Sequence, residues 1–128
     1  MSVCLDSWAV IAWLDEDAPA ADLVQAALDV SRPWMSWINL GEVASQLERR
    51  HGADEAAWTV GRLRAIVALD DVTAERVLAA ARIKAAHPIA FADCFAAATA
   101  AARDATLFTG DPELLERDVG CRVRDLRD

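Results

Sequence analysis

The segment Ser2-Val3-Cys4-Leu5-Asp6-Ser7 starts with a short apolar run and ends with an acid and a hydroxyl residue. Such a run predicts a buried β-strand, because the strands of a parallel sheet are covered on both faces. Ser7 can cap a helix that continues through Trp13 or Leu14. The segment therefore predicts a buried strand that carries Asp6 at its carboxyl end and is followed at once by a helix.

The same pattern of strand and helix recurs along the rest of the chain. Further strands are expected at 34–38, 68–70 and 106–109, with an edge strand at 122–123. Helices are expected to begin at Pro19, after Asn39, at a cap on Asp54, at Thr73 or Ala74, near Ala92 and at Glu113. Alternation of this kind predicts an α/β fold, with a central parallel sheet of four to five short strands and helices on both faces.

Two helical regions carry patterns that bear on packing. Behind Pro19 the predicted buried stripe consists of Leu23, Ala26, Ala27 and Val30. The helices on either side of Gly52 are expected to form a hairpin. Among the tryptophans, Trp58 in this hairpin is a candidate for an exposed contact, whereas the other four are expected mainly in core or dimer packing. These four are Trp8, Trp13, Trp34 and Trp37.

Composition narrows the class of protein. The 128 residues are 55% hydrophobic and 27% charged, which suits one packed domain spanning residues 1–128. The formal net charge of −8 argues against general nucleic-acid binding, because phosphate contacts need Lys and Arg. That argument has one exception, a nucleic acid that is held through a bound cation.

Several other classes lack support in the sequence. The three cysteines are widely spaced and form no Cys-x-x-Cys pair, so neither a zinc site nor a disulfide framework is expected. We expect free thiols in a reducing cytosol instead. No basic segment typical of a signal peptide precedes Asp6. The longest apolar stretch, 89–102, contains Asp93 and is too short to span a membrane.

Four acids are expected to meet at one edge of the sheet, where ligands of parallel α/β folds bind. Asp6 follows the first strand, Glu42 lies one turn into the helix after the second, and Asp111 follows the fourth. Asp93 opens the helix before that fourth strand. Ordinary explanations stay open: Asp6 and Asp111 could cap helices, and Asp93 could be an exposed first-turn acid. Glu42 follows Asn39 at the spacing of a capping box.

Four carboxylates at one edge would repel one another. Two unit charges about 5 Å apart cost roughly 3 kcal/mol at an effective dielectric constant near 20. Asp93 adds a second cost, because it is the only charged residue between Ile89 and Ala102 and its unpaired burial would be expensive. A divalent cation removes both costs, and oxygen ligands without Cys or His suit Mg²⁺ or Mn²⁺.

Four motifs occur in a fixed order along the chain: Leu5-Asp6-Ser7, Ser36-Trp37-Ile38-Asn39-Leu40-Gly41-Glu42-Val43, Ala92-Asp93-Cys94-Phe95-Ala96-Ala97-Ala98-Thr99-Ala100 and Thr109-Gly110-Asp111-Pro112-Glu113. Together they resemble the PIN-domain proteins and, more narrowly, the VapC toxins of bacterial toxin–antitoxin pairs. The resemblance covers essentially the whole chain. It implies a single PIN domain and a cytoplasmic, Mg²⁺-dependent endoribonuclease that uses a metal-activated water.

The resemblance also implies roles for individual residues. Asp6 and Asp93 match the principal metal ligands of the family. Glu42 and Asp111 would complete the pocket, directly or through water. The expected supporting residues are Thr109, Asn39 and Ser7.

Partners follow from the same resemblance. The helical hairpin is similar to the region of VapC-like proteins that holds an antitoxin segment and helps to pair two copies, so a cognate antitoxin and a homodimer are expected. An antitoxin arginine that reaches the acidic pocket would explain inhibition. RNA is the expected substrate, and no membrane contact is expected.

Two alternatives stand beside this hypothesis. One is a catalytically weak or inactive PIN fold that acts through protein contacts, against which the intact acids argue. The other is a different Mg²⁺ pocket on a similar sheet. A haloacid-type phosphatase needs Asp-x-Asp, which Asp6-Ser7-Trp8 breaks, and a phosphate-receiver domain needs a late strand-end lysine, whereas Lys84 is the only lysine.

Overall fold

The computed structural model describes residues 2–128 and shows a five-stranded, wholly parallel sheet. The strands are β1 (Ser2–Leu5), β2 (Trp34–Ser36), β3 (Ala68–Asp70), β4 (Ala105–Thr109) and β5 (Arg122–Asp125). Their order across the sheet is β3-β2-β1-β4-β5. The predicted α/β class and the parallel sheet are confirmed.

Helices connect the strands. They are α1 (Ser7–Leu14), α2 (Ala20–Val30), α3 (Trp37–His51), α4 (Ala53–Ile66), α5 (Ala74–Ala86), α6 (Phe91–Ala102) and the short α7 (Pro112–Leu115). Helices α3 and α4 form the predicted hairpin around Gly52, whose positive φ of 88° suits the tight turn between them.

Side chains that alternate along the strands build two cores. Leu5 and Met35 pack into one core together with α1 to α4. Cys4 and Leu107 point to the other face, which α5, α6 and α7 cover. Because both faces are covered, the strands are apolar without strict alternation, as the sequence indicated. Alanine-rich α6 is buried from Asp93 to Ala100.

The topology places a cleft at one point of the sheet. From β1 the chain moves outward to β2 and β3, and it then returns to the other side of β1 to form β4 and β5. The strand order therefore reverses beside β1 and β4, and the carboxyl ends of parallel strands at such a reversal leave room for a ligand.

The predicted starts of α1 and α3 are wrong. Asp6, rather than Ser7, is the N-cap of α1, and its side chain accepts a hydrogen bond from the backbone N–H of Ala9. Helix α3 starts at Trp37 rather than after Asn39, because the hydroxyl of Ser36 caps it by accepting from the N–H of Ile38. The second strand consequently ends at Ser36 and not at residue 38.

The predicted stripe of α2 is partly wrong. Ala20, Val24 and Ala27 are buried, whereas Ala26 is exposed and Val30 is 84% exposed. The helix starts after Pro19, and the buried face is set by contact with α1. Helix α4 begins directly after Gly52, so Asp54 lies inside its first turn and does not cap it. Trp58 is exposed, as predicted.

Among residues 2–128, no single helix is long and apolar enough to cross a membrane. Helices α5 and α6 reach that length and hydropathy only as a pair, across a bend of 119°. All three cysteines are free thiols, as the sequence predicted.

Candidate metal centre

A cleft of about 600 Å³ opens beside the carboxyl ends of β1 and β4. Helix α1 contributes one group of lining residues, α3 contributes Glu42 and Gln46, and the segments that begin α6 and α7 contribute most of the others. The lining residues are Ser7, Trp8, Ile11, Ala12, Asp17, Glu42, Gln46, Ala90, Asp93, Asp111, Pro112 and Glu113. Three of the four predicted acids thus line one cavity, and Asp6 lies buried next to it.

Asp6 is tied to the end of β4 by a threonine. One of its carboxyl oxygens accepts the N–H of Ala9 at 2.8 Å, and the other accepts the hydroxyl of Thr109. The Thr109 oxygen in turn accepts the backbone N–H of Asp111 at 3.0 Å. Thr109 therefore holds the side chain of Asp6 against the backbone of Asp111.

Glu42 is held by two side chains that bind the same oxygen. Ser7 donates its hydroxyl to Glu42 Oε1 at 2.8 Å, and Asn39 Nδ2 donates to Oε1 at 3.3 Å. Asn39 Nδ2 also donates to the carbonyl of Ala92 at 3.1 Å, which joins α3 to the start of α6. Because both neighbours of Nδ2 are acceptors, the orientation of the amide is fixed.

This orientation leaves Asn39 Oδ1 without a partner. Oδ1 is the buried side-chain polar atom that residues 2–128 leave unsatisfied. A buried oxygen without a donor costs about 1–3 kcal/mol. The fold accepts that cost beside Glu42 and Asp93, where the amide connects the two helices that carry them.

Glu113 is an acid at this cleft that sequence reasoning missed. One carboxylate oxygen each from Asp93, Asp111 and Glu113 lie within 4.8 Å of one another. Asp111 also caps α7 by accepting the N–H of Glu113 at 3.0 Å. The Asp-Pro-Glu sequence was the available signal, because the capping turn folds the third residue back toward the first.

Burial dominates the chemistry of Asp6. Its removal from water raises the pKa of Asp6 to about 7, although the hydrogen bonds from Thr109 and Ala9 favour the charged form. The negative charges of Asp111 and Glu42 raise this pKa as well. An ionised Asp6 is therefore unfavourable unless a positive charge enters the cleft.

Asp93 is in the same situation with fewer hydrogen bonds. Its side chain is buried, and no donor within the described part of the chain binds its carboxylate. Burial, followed by the charges of the surrounding acids, raises the pKa of Asp93 to about 7. Those acids are Asp111, Asp6, Glu42 and Glu113.

Asp70 at the end of β3 shows how the fold neutralises an acid that needs no ligand. Arg76 Nε donates to its carboxylate at 2.6 Å, Arg103 Nε donates at 2.9 Å, and the Thr99 hydroxyl donates at 3.2 Å. Burial alone would raise the pKa of Asp70, but the bonds and charges of the two arginines lower it. Across residues 2–128, by contrast, no Lys or Arg forms an ion pair with an acid of the cleft.

The donor set fits a hard divalent cation. The side chains that could bind a metal offer oxygen atoms, mostly of carboxylates, and no Cys or His among residues 2–128 lines the cleft. Mg²⁺ and Mn²⁺ prefer such ligands. Asp93, Asp111 and Glu113 could bind one ion together, Glu42 lines the same cleft, and Asp6 lies buried next to it.

Of the ordinary explanations given for the four acids, those for Asp6 and Asp111 are confirmed and those for Glu42 and Asp93 are wrong. Asp6 and Asp111 do cap helices, each with one oxygen. The capping-box interpretation of Glu42 is wrong, since Glu42 bonds to Ser7 and Asn39 inside a helix that Ser36 caps. Asp93 is not an exposed first-turn acid, because only 7% of it is accessible.

Trp8 borders the carboxylates and was expected mainly in packing. It is half-buried against the core, yet it also lines the cleft. Its indole lies over Gly110 so closely that a Cβ on Gly110 would come 2.2 Å from Trp8 Cη2. Glycine is therefore required between Thr109 and Asp111.

The sequence matches a family model. The model described as PIN domain matches residues 3–119. That range contains Asp6, Glu42, Asp93, Asp111 and Glu113. No curated protein matches the chain significantly.

Solved structures share the fold at low sequence identity. A chain in the structure of VapBC-1 from nontypeable Haemophilus influenzae is 21% identical, with a TM-score of 0.76 and full coverage of both chains. A chain in the structure of DNA-bound VapBC2 from Rickettsia felis is 14% identical, with a TM-score of 0.78 and 98% of each chain covered. VapC20 from Mycobacterium tuberculosis, described as a sarcin–ricin-loop-cleaving toxin, is 23% identical, with a TM-score of 0.70 and coverage of 86% and 90%.

Proposed function

This chain belongs to the PIN-domain family, and from that premise we propose that it is a metal-dependent endoribonuclease and the toxin of a type II toxin–antitoxin pair of the VapBC kind. The observation that carries the proposal is the group of carboxylates at the cleft that no Lys or Arg of residues 2–128 neutralises. We further propose that residues 1–128 form one domain, which acts in the cytoplasm.

The proposed ligands are the predicted quartet, Asp6, Glu42, Asp93 and Asp111, with Glu113 added. The cation is proposed to be Mg²⁺, with Mn²⁺ as a substitute. When bound, such an ion lowers the pKa of water and offsets negative charge on a phosphate. The chain itself supplies position: Thr109 holds Asp6, while Ser7 and Asn39 hold Glu42 through one oxygen. The second oxygen of Glu42 is thereby left to face the cleft.

The partner is proposed to be an antitoxin that resembles those of the structural neighbours. A narrow groove runs between α1 and α4, lined by Trp13, Leu14, Thr59, Arg62, Leu63 and Ile66. Its apolar residues suit the apolar face of an amphipathic helix. An arginine on the same antitoxin, reaching the cleft, would take the place of the cation. A homodimer is proposed on the resemblance alone.

RNA cleavage by the purified protein tests the enzymatic proposal. The wild type should cut single-stranded RNA in Mg²⁺, should lose activity in EDTA and should regain it in Mn²⁺. Asp93→Asn should reduce cleavage at least a hundredfold. Asp54→Asn, which removes one exposed acid from the first turn of α4, is the matched control and should cleave normally.

Two results would count against the enzyme. Equal cleavage by the wild type and Asp93→Asn would show that the cleft is not the active site. No cleavage of any RNA by a folded, Mg²⁺-loaded wild type would instead favour a PIN fold that acts through protein contacts.

A further inference from the structure

The cleft has an apolar side as well as an acidic one. Trp8, Ile11 and Ala12 line it from α1, where their spacing of three and four residues places them on one face of the helix. Ile11 and Trp8 also pack against the core from this position. A ligand in the cleft would therefore meet carboxylates and an uncharged wall together.

Trp8 is fixed close to the acids. It lies two residues after Asp6, and its six-membered ring covers Gly110, which directly precedes Asp111. The ring therefore bridges the segments that follow β1 and β4, from which these two acids come. Its orientation is set by this contact before any ligand arrives.

The indole N–H of Trp8 is free. Within residues 2–128 it has no hydrogen-bond acceptor, and it does not belong to the buried polar atoms that lack one. Two other tryptophans use this group inside the protein: Trp13 donates to Gln25 at 2.9 Å and Trp37 donates to Asp71 at 3.2 Å. Trp8 thus has a free N–H donor and lines the cleft beside the acids.

The charge of the protein limits which ligands can bind beside Trp8, Ile11 and Ala12. The protein carries a net charge of −8, and no Lys or Arg of residues 2–128 lines the cleft. Phosphate contacts there must therefore depend on a bound metal. A nucleobase, by contrast, is uncharged and stacks on an aromatic ring without any cation. Such stacking is sequence-tolerant and contributes about 1–3 kcal/mol per base, or about 5- to 150-fold in binding.

We propose that Trp8 stacks on a nucleobase adjacent to the phosphate that the carboxylate site would hold. The inference rests on the proposed function and deepens it. A base inside a duplex has both faces covered by its neighbours, so only an unpaired or splayed base could reach the indole. The protein should therefore bind single strands and loops and ignore uninterrupted duplex.

Binding of two defined probes tests this inference. Fluorescence anisotropy is measured with labelled decaadenylate and with a decamer of abasic ribose phosphates, with Ca²⁺ in place of Mg²⁺ to slow cleavage. The wild type should bind decaadenylate at least about tenfold more tightly than the abasic decamer. Trp8→Ala should lose most of this preference and Trp8→Phe should keep most of it, while affinity for the abasic decamer stays unchanged.

Trp58→Ala is the matched control, because Trp58 is exposed on α4 and does not line the cleft. It should retain the preference of the wild type. Equal weakening of both probes by Trp8→Ala would overturn the inference, because it would assign Trp8 a structural role only. Unchanged binding by Trp8→Ala would also overturn it and would leave the α1 face for contact with an antitoxin.

The two proposals can fail separately. If Mg²⁺-dependent RNA cleavage is absent but Trp8 still confers the preference for bases, the nuclease is wrong and the stacking site stands. If cleavage is present and the wild type does not distinguish the two probes, the stacking inference alone is overturned.

Discussion

At the scale of single residues, the partners of a buried carboxyl group decide its chemistry. Asp70 and Asp93 are both buried, but Asp70 binds two arginines and Asp93 binds none in the described chain. The pKa of Asp70 is consequently lowered, whereas burial raises the pKa of Asp93 to about 7. Asp70, which is structural, and Asp93, which is a candidate metal ligand, therefore differ in their positively charged partners and not in their burial.

This difference predicts a pH dependence for the metal-free protein. The pKa of Asp93 is about 7 in the folded state and about 3.8 in its ordinary range, so the folded state holds a proton that the unfolded chain releases. The resulting stabilisation is complete below about pH 4 and is lost as the pH rises through 7. The wild type in EDTA should be less stable at pH 8 than at pH 5, by at most about 3 kcal/mol from this group.

Urea unfolding of Asp93→Asn measures the effect. The variant should lose part of the pH dependence and should be more stable than the wild type at pH 8 without metal. Asp6, whose pKa burial also raises to about 7, accounts for the part that remains. Asp54→Asn changes the net charge equally and should keep the full dependence; identical pH curves for Asp93→Asn and the wild type would refute the explanation.

Gly110 offers a second prediction at this scale. Gly110→Ala should destabilise the protein by about 1–3 kcal/mol, because the added Cβ would meet the indole of Trp8 at 2.2 Å and force it to move. Thermal unfolding measures the loss. Trp8→Ala in the same chain should restore part of it, since the clash disappears.

A matched glycine provides the control. Nothing lies within 4 Å of a Cβ built on Gly61 in α4, so Gly61→Ala should be neutral or should stabilise by up to about 1 kcal/mol. If Gly110→Ala were equally harmless, the close approach of Trp8 would be wrong.

At the scale of secondary structure, strands were more predictable than helix boundaries. The apolar runs of β1 and β4 are short, bounded by polar residues and buried on both faces, so composition alone identifies them. The start of α3 was not predictable in this way. Trp37 and Ile38 are apolar enough to extend a strand, and only the Ser36 hydroxyl, which caps the helix, separates the two outcomes.

The candidate site was predictable to a similar degree. The order of the motifs indicated the four acids, and the reversal of strand order explains why Asp6 and Asp111 come together. The places of Glu113 and Trp8 at the cleft were not predictable, because both depend on how one turn after β4 folds back on α1. Asp70 was also missed, since its two arginine partners come from α5 and from beyond α6.

The Asp70 cluster predicts how strongly these elements depend on one another. Asp70→Asn should cost about 3–5 kcal/mol at pH 7, because it removes the negative charge between Arg76 and Arg103 and replaces one acceptor oxygen by an NH2 donor. Urea unfolding measures this cost. Asp104→Asn removes an exposed partner of Arg122 and should cost less than about 1 kcal/mol. Equal effects of both variants would contradict the role given to Asp70.

At the scale of the whole molecule, the acids that form ion pairs and the acids of the cleft lie in different places. The ion pairs that Arg residues form within residues 2–128 all lie outside the cleft, and the acids inside it are left to repel one another. A fold that gives Asp70 two arginines could have given one to Asp93. The lack of a counter-charge is therefore a property of the site, and it suits either protonated carboxyl groups or a cation from solution.

The most direct test of this account is calorimetric titration of Mn²⁺ into the metal-free protein at pH 8, compared with Asp93→Asn and with the control Asp54→Asn. The wild type and Asp54→Asn should bind Mn²⁺ saturably, and Asp93→Asn should bind it at least about tenfold more weakly. Equal binding by all three proteins, or no binding by the wild type, would contradict it.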